Sequence, residues 1–257
     1  MRIEINPKYQ YLSEWVKHLP GTFDLSGDII YNARNQIRVF HSDAYPSLTL
    51  CVKRFHRPRF LNAFIYGTLR VSKAERSYKN ALYCIEHQVA TPEPVAFIEE
   101  KSGPCLGYSY LVTLQSQLTR LNREFTLAYT PALDLTIRPL AQFTAHMHNE
   151  GILHLDFSPG NILWDKVDDI PNGTFLSRYG DYAFEIIDIN RMRIGEVSMK
   201  EGCKSLRRIC ARTSFFDTFA DEYAKARGMN NDECRYWIHH YRNLFWHNGK
   251  KAQYEYE

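Results

Sequence analysis

Gly151-Ile-Leu-His-Leu-Asp-Phe-Ser-Pro-Gly-Asn-Ile-Leu163 is the stretch whose reading decides the fold, and a second acid, Asp188, closes the segment Phe184-Glu-Ile-Ile-Asp188 downstream. Phosphoryl transfer from a nucleotide needs an acid beside the acceptor hydroxyl and hard oxygen donors that hold Mg²⁺ on the phosphates. Asp156 is the candidate acid, and Asn161 and Asp188 are the candidate metal ligands. An Asp before Ser-Pro-Gly is also good turn chemistry, so Asp156 alone decides nothing. With Asn161 and Asp188 it completes a set. His154 is expected to be structural, fixing the loop by hydrogen bonding.

The rest of the chain sets bounds. At 257 residues and 44% apolar composition there is ample material for one large domain or two small lobes. A net charge of +3 does not announce a nucleic-acid binder, so an anionic partner has to be argued from where the cations cluster. The six cysteines are scattered, with no Cys-x-x-Cys pair and no zinc-site spacing. Met1-Arg-Ile-Glu-Ile-Asn-Pro-Lys8 lacks the apolar core of a signal peptide, and no apolar run approaches the ~20 residues that span a bilayer. The expected location is the reducing cytosol, with any membrane contact peripheral.

Gly and Pro punctuate the chain. Asp28 to Phe40 predicts two short strands meeting near Ala33 to Asn35, and Leu48 to Phe55 a third. Ser72, with Glu75 in capping-box position, predicts the start of a helix that ends near His87. Val95 to Glu99 and Tyr108 to Leu114 predict two more strands. Beyond Pro131 the spacing of Leu133, Ile137, Leu140 and Met147 predicts a long buried helix running into the opening loop. Phe215 to Arg227 and Asp232 to Trp246 have helical spacing of aromatics. The fold class is α+β: a small antiparallel-sheet lobe over residues 1–116, then a larger, mainly helical lobe over 117–257, joined near Gln115 to Gln117.

Ser72-Lys-Ala-Glu-Arg-Ser-Tyr-Lys-Asn-Ala81, Thr91-Pro-Glu-Pro-Val-Ala96, the His154-to-Leu163 loop and Ile187-Asp-Ile-Asn-Arg-Met192 fall in the order of a bilobal protein-kinase-like fold. The wording resembles the bacterial lipopolysaccharide kinases that phosphorylate Kdo or heptose sugars, over about residues 27 to 212. The resemblance implies ATP and Mg²⁺ as cofactors, Asp156 as the acid that orients the acceptor hydroxyl, and Asn161 and Asp188 as metal ligands. It implies that Lys53, ending the apolar strand from Leu48, binds the nucleotide phosphates. Glu75 is its natural partner on the following helix, with Glu86 as the alternative if the register differs.

Several departures bear on the acceptor. No Gly-x-Gly-x-x-Gly separates the first two strands, only Tyr31-Asn-Ala-Arg-Asn-Gln36, so Arg34 or Asn35 is left to contribute to the phosphate cradle. Leu155 stands where many protein kinases have Arg, Ile189 and Asn190 follow Asp188, and no Ala-Pro-Glu motif appears downstream. A small or sugar acceptor fits better than a protein. Two basic stretches suggest an anionic glycolipid. Residues 53–70 hold five Lys or Arg, no acid and four Phe or Tyr, a mixture suited to peripheral contact with an anionic membrane, or to a plain connector packed under the helix. Arg191, Arg193, Lys200, Lys204, Arg207, Arg208 and Arg212 form the second, which reads as an acceptor wall or as a solvated helix face. Nucleic acid is not expected, because no recognised RNA-binding module is present. Two other functions remain open: a catalytically silent kinase-fold scaffold, and a soluble kinase acting on a small molecule or a protein.

Overall fold

The computed structural model describes residues 1–42, 45–57, 70–118, 120–121, 131–170, 175–210 and 212–246. The chain divides into two compact units: residues 1–85 with 92–116, and residues 86–91 with 117–257.

The first unit is built on a six-stranded antiparallel sheet. Its strands are β1 (Arg2–Ile5), β2 (Asp28–Asn32), β3 (Gln36–Ser42), β4 (Tyr45–Phe55), β5 (Pro94–Ser102) and β6 (Cys105–Leu114), in the order β1-β5-β6-β4-β3-β2. Side chains alternate across each strand, and the two faces have different covers. Leu50, Val52, Ile98, Tyr110 and Val112 face a cluster with Leu12, Val16, Leu19 and Phe23, from a 3-10 turn at Pro7–Leu12 and helix α1 at Ser13–Thr22. Phe55 and Phe97 face the other way, onto Ala74 and Tyr78 of helix α2 at Lys73–Glu86. The α2 start follows its sequence signal, with the Glu75 N–H donating to Ser72 Oγ at 3.1 Å.

Neither β1 nor α1 is signalled by residues 1–27. Arg2-Ile-Glu-Ile5 is too short to stand out, and it becomes a strand by pairing with β5, Ile3 opposite Ile98. Tertiary pairing overrides a weak local signal here.

The second unit packs helices α3 (Pro131–Asn149), α4 (Met199–Ser205), α5 (Thr213–Arg227) and α6 (Asn231–Trp246) with short strands. Strands β7 (Arg120–Leu121), β9 (Ile162–Lys166), β10 (Ser177–Tyr179) and β11 (Tyr182–Ile186) form one small sheet; β8 (Ile152–His154) and β12 (Met192–Ile194) form another. Phe143 stacks on Phe184 at 5.4 Å, and Phe215, Phe216, Phe219 and Tyr223 make a ring-on-ring core along α5.

A buried polar chain braces α3, α4 and α5. Arg227 Nη1 donates to the Tyr223 hydroxyl at 2.9 Å, leaving the hydroxyl hydrogen for His148 Nδ1 at 2.7 Å. His148 Nε2 faces Ser205 Oγ at 3.4 Å, and Ser205 donates to the Gly202 carbonyl at 2.7 Å. Position 202 must be glycine because an added Cβ would collide with the Tyr223 hydroxyl and with Arg227 and His148. Burial pushes the His148 imidazole down to about 3, assisted by the Arg227 charge, so it stays neutral.

Candidate active site

Three local devices build the loop from Gly151 to Asn161. Helix α3 ends at Asn149, and Gly151 adopts φ +71 with its backbone against that of Gly195, whose N–H donates to the Gly151 carbonyl at 2.9 Å. A Cβ at 151 would press on the Gly195 carbonyl. Next, β8 pairs with β12, His154 opposite Met192, and the Leu155 N–H donates to the Arg191 carbonyl. Last, Pro159–Asn161 forms a 3-10 turn that leads into β9.

His154 is fully buried and links both ends of the site. Its Nε2 lies 3.1 Å from the Ile187 carbonyl, which can only accept, so Nε2 carries the proton. Its Nδ1 then accepts the Asp156 N–H at 3.1 Å. Burial holds the imidazole below its ordinary pKa, in the neutral tautomer both contacts require. The sequence expectation for this residue was a fixing role, and these are its bonds.

Asp156 is clamped at its backbone and steered at its side chain. Asn161 Nδ2 donates to the Asp156 carbonyl at 2.8 Å, a bond that does not use the Asn161 amide oxygen. The carboxylate Oδ1 receives Arg208 Nη1 in an ion pair whose side chains are 29% and 39% exposed. Arg208 comes from a 3-10 turn at Leu206–Arg208, pinned by Trp246 Nε1 donating to the Arg207 carbonyl at 2.9 Å.

Asp188 follows β11. The β9–β11 ladder sets Ile162 opposite Ile186, and one rung further the Ile187 N–H donates to the Asn161 carbonyl at 3.0 Å. That register brings Asn161 and Asp188 to the same end of the sheet. Asp188 has φ +58, a left-handed conformation that Asp tolerates better than most residues, and Asn190 Nδ2 donates to its Oδ1 at 2.7 Å. The strand end is tied down by Thr91 Oγ1, which donates to the Ile186 carbonyl, and by the Ile186 N–H, which donates to the Ala90 carbonyl.

The structure of WaaP in complex with acyl carrier protein superposes with a TM-score of 0.63 at 17% identity, covering 95% of this chain and 98% of that one. The chain has a protein-kinase-like fold. No family model matches the sequence, and no curated protein does either.

Within that fold, the first unit carries the remaining sequence-derived site residues. Lys53 lies on β4 on the same face as Phe55, the face α2 covers, with Nζ 5.2 Å from the Phe55 ring centroid. Glu75 is buried on α2 and receives both Arg2 guanidinium nitrogens, at 2.5 and 3.0 Å, and Lys79 at 2.6 Å. The Arg2 hydrogen bonds, with Lys79, hold its carboxyl below the usual range. Sequence reasoning paired Glu75 with Lys53 and did not foresee Arg2, because β1 was not visible as a strand.

The basic stretches are only partly free. Arg54 binds Asp24 at 2.6 and 2.9 Å and stacks on Phe23 and Tyr108; Arg57 lies 4.0 Å over Tyr108. Residues 58–69, the centre of the first stretch, lie outside the described residues. In the second stretch Arg193 pairs with Glu201 at 2.9 Å, Lys200 sits over Trp237, and Arg208 holds Asp156. Arg191 and Lys204 are exposed.

Among the described residues no three His, Cys, Asp or Glu cluster as a metal site, and no helix is long and apolar enough to cross a membrane. The donor set suits Mg²⁺ nonetheless. That ion usually takes one or two protein oxygens and fills its other positions with phosphates and water. Asn161 Oδ1 and the Asp188 carboxylate are oxygen donors of the required kind.

Proposed function

We propose that the chain is an ATP- and Mg²⁺-dependent kinase that phosphorylates a sugar hydroxyl of the lipopolysaccharide inner core, on Kdo or heptose. One observation carries the reading: the Asp156 carboxylate is oriented by Arg208 while its backbone is fixed by His154 and Asn161, on a fold shared with WaaP.

The chemistry is an in-line displacement. The acceptor hydroxyl oxygen bonds to the γ-phosphorus, the bond to the β,γ-bridging oxygen breaks, and ADP leaves with that electron pair. Arg208 occupies Asp156 Oδ1, which leaves Oδ2 to orient the hydroxyl and take its proton as charge develops. Asn161 and Asp188 would hold Mg²⁺, which neutralises phosphate charge when bound. Lys53 would bind the α and β phosphates, with Glu75 setting the position of α2. Positioning and charge neutralisation account for the rate, with no covalent enzyme intermediate.

The acceptor reading rests on the sequence resemblance, on the absence of a protein-kinase activation signature, and on the cations that follow Asp188. Peripheral contact with the inner membrane through residues 53–70 belongs to the same proposal. Purified protein, incubated with ATP, Mg²⁺ and Kdo₂–lipid A or heptosylated core, should give a product heavier by one phosphate in mass spectrometry. The Asp156→Asn variant should give only a trace of it. Phosphate appearing only on proteins, or undiminished turnover in Asp156→Asn, would overturn the reading; folded protein that never consumes ATP would favour a scaffold.

A further inference from the structure

Helix α6 carries a feature that the phosphotransfer reading leaves unused. Cys234, Ile238, Arg242 and Trp246 form its buried stripe at four-residue spacing. Beside that stripe run Trp237, Tyr241 and Phe245, at the same spacing and each half-buried. The Trp237 and Tyr241 rings lie 5.8 Å apart at 26°, and the Trp237 Nε1–H is held by Glu233 at 3.3 Å. A cation stands at each end. Lys200 Nζ is 4.2 Å from the Trp237 centroid, and Arg208 Cζ is 5.9 Å from that of Phe245. Arg208 is also the residue that holds Asp156.

We propose that this strip is the acceptor track, binding an anionic saccharide and leading its hydroxyl toward Asp156. The inference rests on the sugar-kinase reading and names the surface that recognises the sugar. From Trp237 to Phe245 is eight residues of helix, about 12 Å along the axis, long enough for a short oligosaccharide. A pyranose ring has an apolar C–H face and a hydroxylated rim. The negative faces of aligned aromatic rings suit the first. Lys200 and Arg208, which lie against the rings at the two ends of the strip, suit a carboxylate or phosphate on the second.

A bilayer is the other occupant to weigh. Membrane-seeking aromatics project outward among flanking cations. Here Trp237 and Tyr241 lie against each other, and Lys200 rests on a ring face, where it shapes the strip. Of the large apolar side chains of α6, Tyr236 and Leu244 are the exposed ones, at 60% and 48%. The arrangement favours a flat polyhydroxylated ligand.

The test is binding without nucleotide. Lipid-free core oligosaccharide bearing Kdo carboxylates and phosphates is titrated calorimetrically into the full chain, with neutral dextran and phosphatidylglycerol vesicles as separate arms. Wild type should bind the acidic oligosaccharide alone. Tyr241→Ala should weaken it at least tenfold, Lys200→Glu several-fold, and Trp237→Phe should keep most of it. Asp156→Asn should still bind the acidic oligosaccharide while losing turnover, so a failed track and a failed kinase assignment give different results. If Tyr241→Ala does not fold, the exposed Lys200→Glu decides alone. Unchanged binding in both Tyr241→Ala and Lys200→Glu overturns the proposal, as does wild-type binding to the vesicles in place of the oligosaccharide.

Discussion

Arg208 donates to Asp156 Oδ1 across 52 residues of chain, tying the loop after β8 to the turn after α4. The pair orients a carboxylate whose own loop fixes only its backbone. Removing Arg208 should therefore cost turnover more than nucleotide affinity. Arg208→Ala is expected to lower kcat about 10²-fold, the scale for losing one preorganised charged group, with KM for ATP little changed. Arg208→Lys should recover part of the loss. In an Asp156→Asn background the same change should add almost nothing, and a steady-state double-mutant cycle checks this.

Asp188 separates conformation from charge in an unusually clean way. Its φ of +58 excludes most residues but suits Asn, which also keeps a polar group for Asn190. Asp188→Asn should fold with a Tm close to wild type yet need far more Mg²⁺ for nucleotide binding. Asp188→Val should lose stability as well, because a β-branched residue is strained there. Thermal melting with and without ATP and Mg²⁺ distinguishes the two effects.

Much of this architecture was legible in local sequence signals. The hairpin near Ala33, the Ser72 cap, the long helix into Gly151 and the two C-terminal helices all follow from turn chemistry and periodicity, which are properties of neighbouring residues. What stayed hidden was made by closure of the chain. β1 exists because Ile3 meets Ile98, Arg2 reaches Glu75 only through that pairing, and nothing near Arg208 in sequence points to Asp156. The basic run from Arg191 to Arg212 shows the same limit. As composition it is one patch, whereas in three dimensions its members divide among Glu201, Trp237 and Asp156.

The Arg2–Glu75 pair gives a stability prediction. Glu75 is 5% exposed and Arg2 45%, so loss of the arginine leaves a buried carboxylate with Lys79 as its described counter-charge. Arg2→Ala should cost about 1 kcal/mol, moderated by solvent around Arg2. Because the folded carboxyl sits below its unfolded value, this stability is present at neutral pH and is lost as pH falls through the acid range. Urea unfolding at pH 7 and pH 4 should show a smaller difference between wild type and Arg2→Ala at the lower pH.

His148 should govern the first loss of stability on mild acidification. Its folded pKa of about 3 lies far below the ~6.5 of an unfolded histidine, so between those values the unfolded chain binds a proton that the folded chain refuses. The sign is fixed by that difference: stability is complete above about pH 6.5 and declines as pH falls, by roughly 2 kcal/mol for this residue between pH 7 and pH 5. His154, also buried and neutral, acts in the same direction. His148→Gln cannot protonate, and its amide can replace part of the chain between Tyr223 and Ser205. The variant should be less stable than wild type at pH 7 and should close most of that gap by pH 5. A gap that stayed constant across this window, in urea melts at both pH values, would mean that His148 is protonated in the folded state. The neutral chain from Arg227 to Ser205 would then be wrong.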